Sequence, residues 1–425
     1  MPEEILSAEV LGQVAAIGPT DIVVGIPSYN NARTIGQVVQ AAHAGLLMYF
    51  PDRHSLIVNS DGGSKDSTRE VVEKSRLDTQ ALLVSHELHT VHRLTTPYHG
   101  LPGKGSAFRT IFRIAELVGA RACAVVDSDL RSITPEWFDL LLRPVLEREF
   151  DYVAPYYKRH KYDGTITNSI VYPFTRALYG RRVRQPIGGE FGISGRLARH
   201  FLTRDVWGSD VARYGIDIWM TTTAIAENFR VCQSYLGAKL HDAKDPGGDL
   251  SAMLVQVVGS VFSLMETYHT AWCNVLGSLP AQLFGFPFEV GLEPVPINVQ
   301  RLLTAFAQGC RDLRPIYEQV LSPALMNQLE ACAMLPPRDF RLPDAVWVAV
   351  IYDFALAYHR RVIDREHLVK SLTPLYLGWV ASFARQTENE TAFQVEERIE
   401  KLCLVYEQLK SYLIAQWPLK TLKER

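Results

Sequence analysis

Two aspartates stand two residues apart in Val125-Val-Asp127-Ser-Asp129, just past a short apolar run. Carboxylates that have left the alternation of a strand can turn together toward one hard cation, or divide between a cation and a ribose hydroxyl. The same pair also fits an ordinary acidic turn. A second apolar run ends in Asp61-Gly-Gly-Ser-Lys-Asp66-Ser-Thr68. Its glycines permit tight turning with positive φ, Asp66 or Ser67 can cap a following helix, and Asp61 falls where a nucleobase or ribose would lie. Gly103-Lys104-Gly105-Ser106 offers an anion close backbone approach, a helix N-terminus and a point charge. It lacks the G-x-x-x-x-G-K-[ST] spacing, which disfavours a P-loop kinase or ATPase. In Gln185-Pro-Ile-Gly188-Gly189-Glu190 two glycines can bring backbone against a ligand, and Glu190 opens the next apolar run. Asp217, in the first turn of a helix expected from Tyr214 to Ala224, can project into a cleft. His241 can join an aspartate of the Asp127/Asp129 pair on a metal, although one histidine among 12 is equally at home on a surface.

Placing these groups together requires strands that end at one edge. Strands are expected at Asp21–Pro27, His54–Ser60, Gln80–Ser85 and Ala122–Val126, with helices at Ile35–Met48, capped by Thr34, Asp66–Arg76 and Ser106–Val118. Strands alternating with helices imply crossovers and a largely parallel α/β sheet, whose ligands bind beyond the carboxyl ends of the strands. Further β-like pieces run Tyr152–Tyr157, Glu190–Ser194 and Phe229–Leu236, and Leu250–Thr267 reads as a long apolar helix. Pro, Gly and aromatics concentrate between Leu279 and Pro296. Beyond them helices dominate, at Asn298–Gln308, Pro315–Leu321, Ala345–Arg361, Asp364–Arg385 and Glu388–Trp417. The expected organisation is an N-terminal extension (1–20), a catalytic domain (21–278, divided near 130 into a donor and an acceptor half), a linker (279–297) and a helical C-terminal domain (298–425), which offers a surface for self-association.

Composition narrows the partners. The 425 residues are 47% hydrophobic, and 44 Lys and Arg oppose 46 Asp and Glu, a net charge of −2. A nucleic-acid surface needs a cationic excess that this chain lacks. No apolar stretch is long enough to span a membrane, and the N-terminus does not read as a secretory signal. Six scattered cysteines without a C-x-x-C pair read as buried thiols in a reducing compartment, so the expected location is the cytoplasm.

Taken in order, PSYN, NSDGGSKDST, LPGKGSA, VDSD, QPIGGE, YGID and KLHDAK resemble the retaining GT-A glycosyltransferases of the mannosylglycerate, glucosylglycerate and glucosyl-3-phosphoglycerate synthase group, over roughly residues 21–270. The resemblance implies a GT-A (Rossmann-like) domain and a divalent cation, Mg²⁺ or Mn²⁺, held by Asp129 and His241 with Asp127 at the ribose or the metal. It places Lys104 on the pyrophosphate, Pro27, Tyr29, Asn30 and Asp61 at the nucleoside, Gly189 along the donor, Glu190 among the catalytic residues and Asp217 near the anomeric carbon. Arg159, Asp163 and Thr167 match the glycerate-binding stretch of the group, and a guanidinium at Arg159 can clamp a carboxylate through two hydrogen bonds. The chain departs from many GT-A sequences at Asn31, where they carry Glu.

The activity so implied is transfer of glucose or mannose, from a UDP- or GDP-linked donor, to D-glycerate. The alternative acceptor is 3-phosphoglycerate, with His160, Lys161 or Arg181 as the added anion site. A wider alternative is an inverting family-2-like transferase. A nucleotidyltransferase would carry a Gly-rich basic loop after the first strand, and a binding protein without catalysis would not need the set Asp127, Asp129, Lys104, Asp217 and His241.

Overall fold

The computed structural model describes residues 5–75, 91–97, 103–241 and 251–417. Two compact units interleave along the chain: residues 1–159, 183–242 and 281–293 form the first, and 160–182, 243–280 and 294–425 the second.

The first unit is a Rossmann-like α/β body. Its strands are β1 (Ile22–Ser28), β2 (Ser55–Asp61), β3 (Val91–Pro97), β4 (Ala122–Val125), β5 (Tyr152–Lys158), β7 (Phe191–Ser194), β8 (Val231–Ala238) and β10 (Gln282–Phe284). The second unit supplies the short pair β6 (Arg181–Arg182) and β9 (Leu279–Pro280). The large sheet runs β10-β8-β5-β7-β4-β1-β2-β3. Only β7 among these strands is antiparallel to its neighbours β4 and β5. β1 is buried at every position because strands flank it and helices cover it, which is why it reads as a continuous apolar run. The strand expected at 80–85 lies outside the described residues; the strand paired with β2 is Val91–Pro97.

Helix ends differ from expectation in instructive ways. Thr34 does not cap Ile35–Tyr49: its hydroxyl donates to the Ser128 carbonyl at 2.8 Å, tying the loop after β1 to the loop after β4. Asp66, rather than Ser67, accepts from the Thr68 amide at the next helix. Helix Lys104–Leu117 begins two residues before Ser106, packed against backbone: a Cβ on Gly105 would lie 1.9 Å from the Val211 carbonyl oxygen. Helix Glu136–Arg148, not anticipated, contains Pro144. Proline removes the donor for the carbonyl four residues earlier, and the Ser234 hydroxyl donates to that oxygen, on Leu140, at 2.6 Å.

The second unit is mostly helical, from Tyr172–Tyr179 and Ser251–Thr267 through Ala392–Gln416. The same proline problem recurs at Pro173, which leaves the Ser169 carbonyl without its α-helical donor. Residues Thr167–Val171 widen into a π-turn, and that oxygen instead accepts from Trp347 Nε1 at 3.0 Å and Tyr406 Oη at 2.9 Å. Arg176, 2% exposed, lies between Glu400 and Glu407. The helix expected over 364–385 is two, Arg365–Ser371 and Thr373–Thr387, because Pro374 starts a new one. Helix Pro323–Ala333 is a further element that the sequence pattern does not announce. No helix among the described residues is long and apolar enough to cross a membrane.

Candidate active site

Strands β1, β2, β4, β5 and β8 end, and the antiparallel β7 begins, at one edge of the sheet. This topology brings Asp61, Asp127, Arg159, Lys239, His241 and Glu190 to that edge, each within three residues of a strand terminus.

At the β1–β2 side, Asp61 is fully engaged by its own loop, by β1 and by the helix that follows. Oδ2 accepts from the Gly63 and Ser64 amides, both at 3.0 Å, and from Arg69 Nε at 2.7 Å; Oδ1 accepts from Ser64 Oγ at 2.6 Å and Ser28 Oγ at 3.2 Å. Burial raises its pKa, but the Ser64 and Arg69 hydrogen bonds outweigh burial and hold the acid below its ordinary value. Asn30 takes a left-handed backbone (φ 54°) and accepts from the Lys65 amide at 2.8 Å. Pro27 is buried within β1, whereas Tyr29 is 56% exposed. Asn31 accepts from the Tyr29 amide at 3.0 Å and from Ser128 Oγ at 2.8 Å, so the position that departs from the GT-A pattern joins two site loops.

The centre of the edge is a buried charge cluster. Lys104 Nζ lies 2.7 Å from Asp127 Oδ1 and 3.1 Å from Asp217 Oδ2. Lys239 Nζ lies 3.0 Å from Asp127 Oδ2 and 2.7 Å from Glu190 Oε1, and donates to the Gly188 carbonyl at 2.7 Å. Asp127 is therefore bracketed by two ammonium groups, which overcome the effect of burial and hold it well below the usual carboxylate range. Both lysines are raised: burial acts against the charge, but the surrounding carboxylates prevail. Glu190 goes the other way, pushed up to about 8 by burial that Lys239 only partly offsets. Burial likewise raises Asp217, against the pull of Lys104. Three carboxyls and two ammoniums balance when one acid keeps its proton, and Glu190 is the acid whose surroundings favour that. Two oxygens of the cluster, Glu190 Oε2 and Asp217 Oδ1, are buried without a hydrogen-bond partner among the described residues. Gly189 is required here: its φ is 98°, and a Cβ would lie 2.2 Å from Asp127 Oδ2.

Lys239 is a member of the cluster that the sequence does not single out. A lysine following a strand reads as solvated; the signal is its position, one residue past β8, at the edge where the acids converge.

At the β5 side, Arg159 Nη2 is 3.1 Å from His241 Nε2, and the guanidinium lies over the Tyr157 ring, 5.4 Å from its centre. The Asp129 carboxylate makes no ion pair or hydrogen bond among the described residues, so it can take a cation. The three side chains expected to hold a metal are not gathered: Asp127 is bound by the lysines, His241 meets Arg159, and no three His, Cys, Asp or Glu side chains converge on a metal position among the described residues. As they stand they do not form a three-ligand centre.

Asp163 and Thr167 belong to the second unit. The Asp163 amide donates to the His160 carbonyl at 2.8 Å, and Thr167, 2% exposed, opens the π-turn. His160 Nδ1 accepts from the Val295 amide at 3.3 Å, and Lys161 Nζ donates to the Glu388 carbonyl at 2.8 Å, just beyond the C-terminus of helix Thr373–Thr387.

No protein-family model matches the chain, and no curated protein sequence matches it. Among solved structures, glucosyl-3-phosphoglycerate synthase from Mycobacterium tuberculosis, in complex with Mn²⁺, UDP-glucose and phosphoglyceric acid, is 21% identical, with a TM-score of 0.43 over 60% of this chain and 83% of that one. The same enzyme with phosphoglyceric acid alone is 20% identical, with a TM-score of 0.44 over 61% and 84%. A structure described only as a mycobacterial protein is 19% identical, with a TM-score of 0.42 over 60% and 77%. These are partial likenesses of chain path.

Proposed function

We propose that the chain transfers a hexosyl group from a nucleoside-diphosphate sugar to a small glycerate-type acid, phosphorylated or not. The observation that carries this reading is the buried cluster of Lys104, Asp127, Asp217, Lys239 and Glu190 at the ligand-binding edge of a Rossmann-like sheet, with two of its carboxyl oxygens lacking hydrogen-bond partners among the described residues. A buried oxygen without a partner is costly, and a hexose brings several hydroxyls that can donate to it or accept from it.

In this reading the bond from the anomeric carbon to the diphosphate oxygen breaks, a bond to the acceptor hydroxyl oxygen forms, and the acceptor proton leaves with the diphosphate. Lys104 supplies positive charge where negative charge grows on the leaving group, in a site too dry to screen it. Asp217, with one oxygen fixed by Lys104, stabilises the positive character that develops at the anomeric carbon. Lys239 keeps Asp127 in place between the two ammoniums. Tyr29 offers an exposed ring for a base to stack on, and Arg159 binds the acceptor carboxylate. A divalent cation, if the transferase takes one, would draw on Asp129 and His241 and would supply Lewis-acid stabilisation of the diphosphate.

The test is a matrix of acceptors and donors: D-glycerate, 3-phosphoglycerate and D-lactate against the glucose and mannose donors of UDP and GDP, with and without Mg²⁺ or Mn²⁺. Glycoside formation with a glycerate-type acid is expected. Absence of product with every such acceptor, in protein shown to bind a donor, would refute the reading. Arg159→Ala should raise KM for the acceptor more than it lowers kcat, and unchanged acceptor kinetics would remove Arg159 from the acceptor site.

A further inference from the structure

The opposite edge of the large sheet carries an open, arginine-lined cavity. It opens where β4, β5 and β8 begin and β7 ends, away from the strand termini that hold the lysine–carboxylate cluster, and its volume is about 510 Å³. That is the size of a small-molecule site. Four arginines line it, Arg121, Arg196, Arg199 and Arg230, against two acids, Glu149 and Asp151.

The acids do not cancel the arginines. Asp151 is 4% exposed and its oxygens are taken: it accepts from Ser194 Oγ at 2.9 Å, from the Arg230 amide at 3.1 Å and from Arg196 Nη2 at 2.6 Å. Its role is to pin Arg196 to the rim. Glu149 meets Arg230 at 3.2 Å and is largely exposed, so water weakens that pair. Arg121 and Arg199 form no ion pair among the described residues. Two positive charges are left over around an open depression.

Two of the guanidinium groups are also held in plane. Arg196 lies over the Phe229 ring at 5.1 Å and Arg230 over the Phe150 ring at 4.9 Å. Stacked guanidiniums lose less freedom on binding an oxyanion, and their fork of donors matches phosphate oxygens. In a chain with a net charge of −2, four arginines gathered at one place suit a small anion better than an extended polyanion.

We infer that this arginine-lined cavity binds a small phosphate-bearing molecule, as a site separate from the lysine–carboxylate cluster.

The test is calorimetric titration of the full chain with inorganic pyrophosphate, for the wild type, the double variant Arg121→Ala/Arg199→Ala and Glu149→Gln. The substituted side chains are on the surface, and circular dichroism checks that each variant is folded. The double variant should bind at least about tenfold more weakly, because it loses two charge-assisted contacts. Glu149→Gln should bind several-fold more tightly, because it removes an opposing charge. Equal affinity of wild type and double variant would overturn the inference, since any binding would then reside elsewhere. Absence of binding to the wild type would overturn it equally.

Discussion

Replacing Glu190 by glutamine isolates one proton. The side chain is fully buried; Lys239 engages one oxygen at 2.7 Å, and the other has no hydrogen-bond partner among the described residues. Burial pushes its pKa from the ordinary 4.5 up to about 8. The folded protein thus keeps a proton that the unfolded chain releases near 4.5. The stability this contributes is complete below about pH 4.5 and is lost as pH rises through about 8. At about 1.4 kcal/mol per unit, the wild type should lose about 2–3 kcal/mol between roughly pH 6 and pH 9 from this group alone. A glutamine at this position carries no such proton, so Glu190→Gln should flatten the profile by that amount. The assay is urea unfolding of both proteins across this pH range, followed by circular dichroism, and the quantity is the wild-type stability minus that of the variant. A difference that stays constant with pH would show that Glu190 is ionised throughout, and that the neutral balance assigned to the cluster is wrong.

Three further outcomes test the packing. Arg176→Met should cost about 1–3 kcal/mol, since it leaves the partly exposed Glu407 and Glu400 without the cation that pairs them; a thermal melt indistinguishable from wild type would contradict this. Gly105→Ala drives a methyl group into the Val211 carbonyl and should cost about 1–3 kcal/mol or more, read as a lowered urea midpoint. Ser234→Ala removes the donor that replaces the one missing at Pro144 and should cost about 1–3 kcal/mol. Hydrogen exchange should report faster opening of helix Glu136–Arg148, and unchanged protection there would dismiss the role given to Ser234.

The central strands are legible because burial on both faces leaves an unbroken apolar run, as in Ile22–Ser28 and Ala122–Val125. The edge that gathers polar residues follows from strand alternation with helices. What escapes depends on partners distant in sequence. Helix Glu136–Arg148 hides behind Pro144, which is tolerated only because Ser234, 94 residues from Leu140, reaches the orphaned carbonyl. Lys239 is buried only because Asp127 and Glu190 arrive from two other strands, and neither neighbour is visible in the run Gly237-Ala-Lys-Leu240. Asp61 reads as a ligand contact, yet its local chemistry is dominated by the turn that its own glycines create. Thr34 has the right residue type for a cap, but the Ser128 carbonyl takes its hydroxyl.

The Ser169 carbonyl sets an order on how the chain is made. Its two donors, Trp347 and Tyr406, lie 178 and 237 residues further on. At synthesis rates of roughly 5–20 residues per second, the segment around Pro173 waits roughly ten to fifty seconds for both of them. During that interval the apolar side chains of Tyr172–Tyr179 have left the ribosome without the helices Asp344–Arg360 and Ala392–Gln416 that bury Phe174. The first unit waits less, since its last strand ends at Phe284. Nascent chains halted between residue 284 and the final helix should therefore be the ones that chaperones hold.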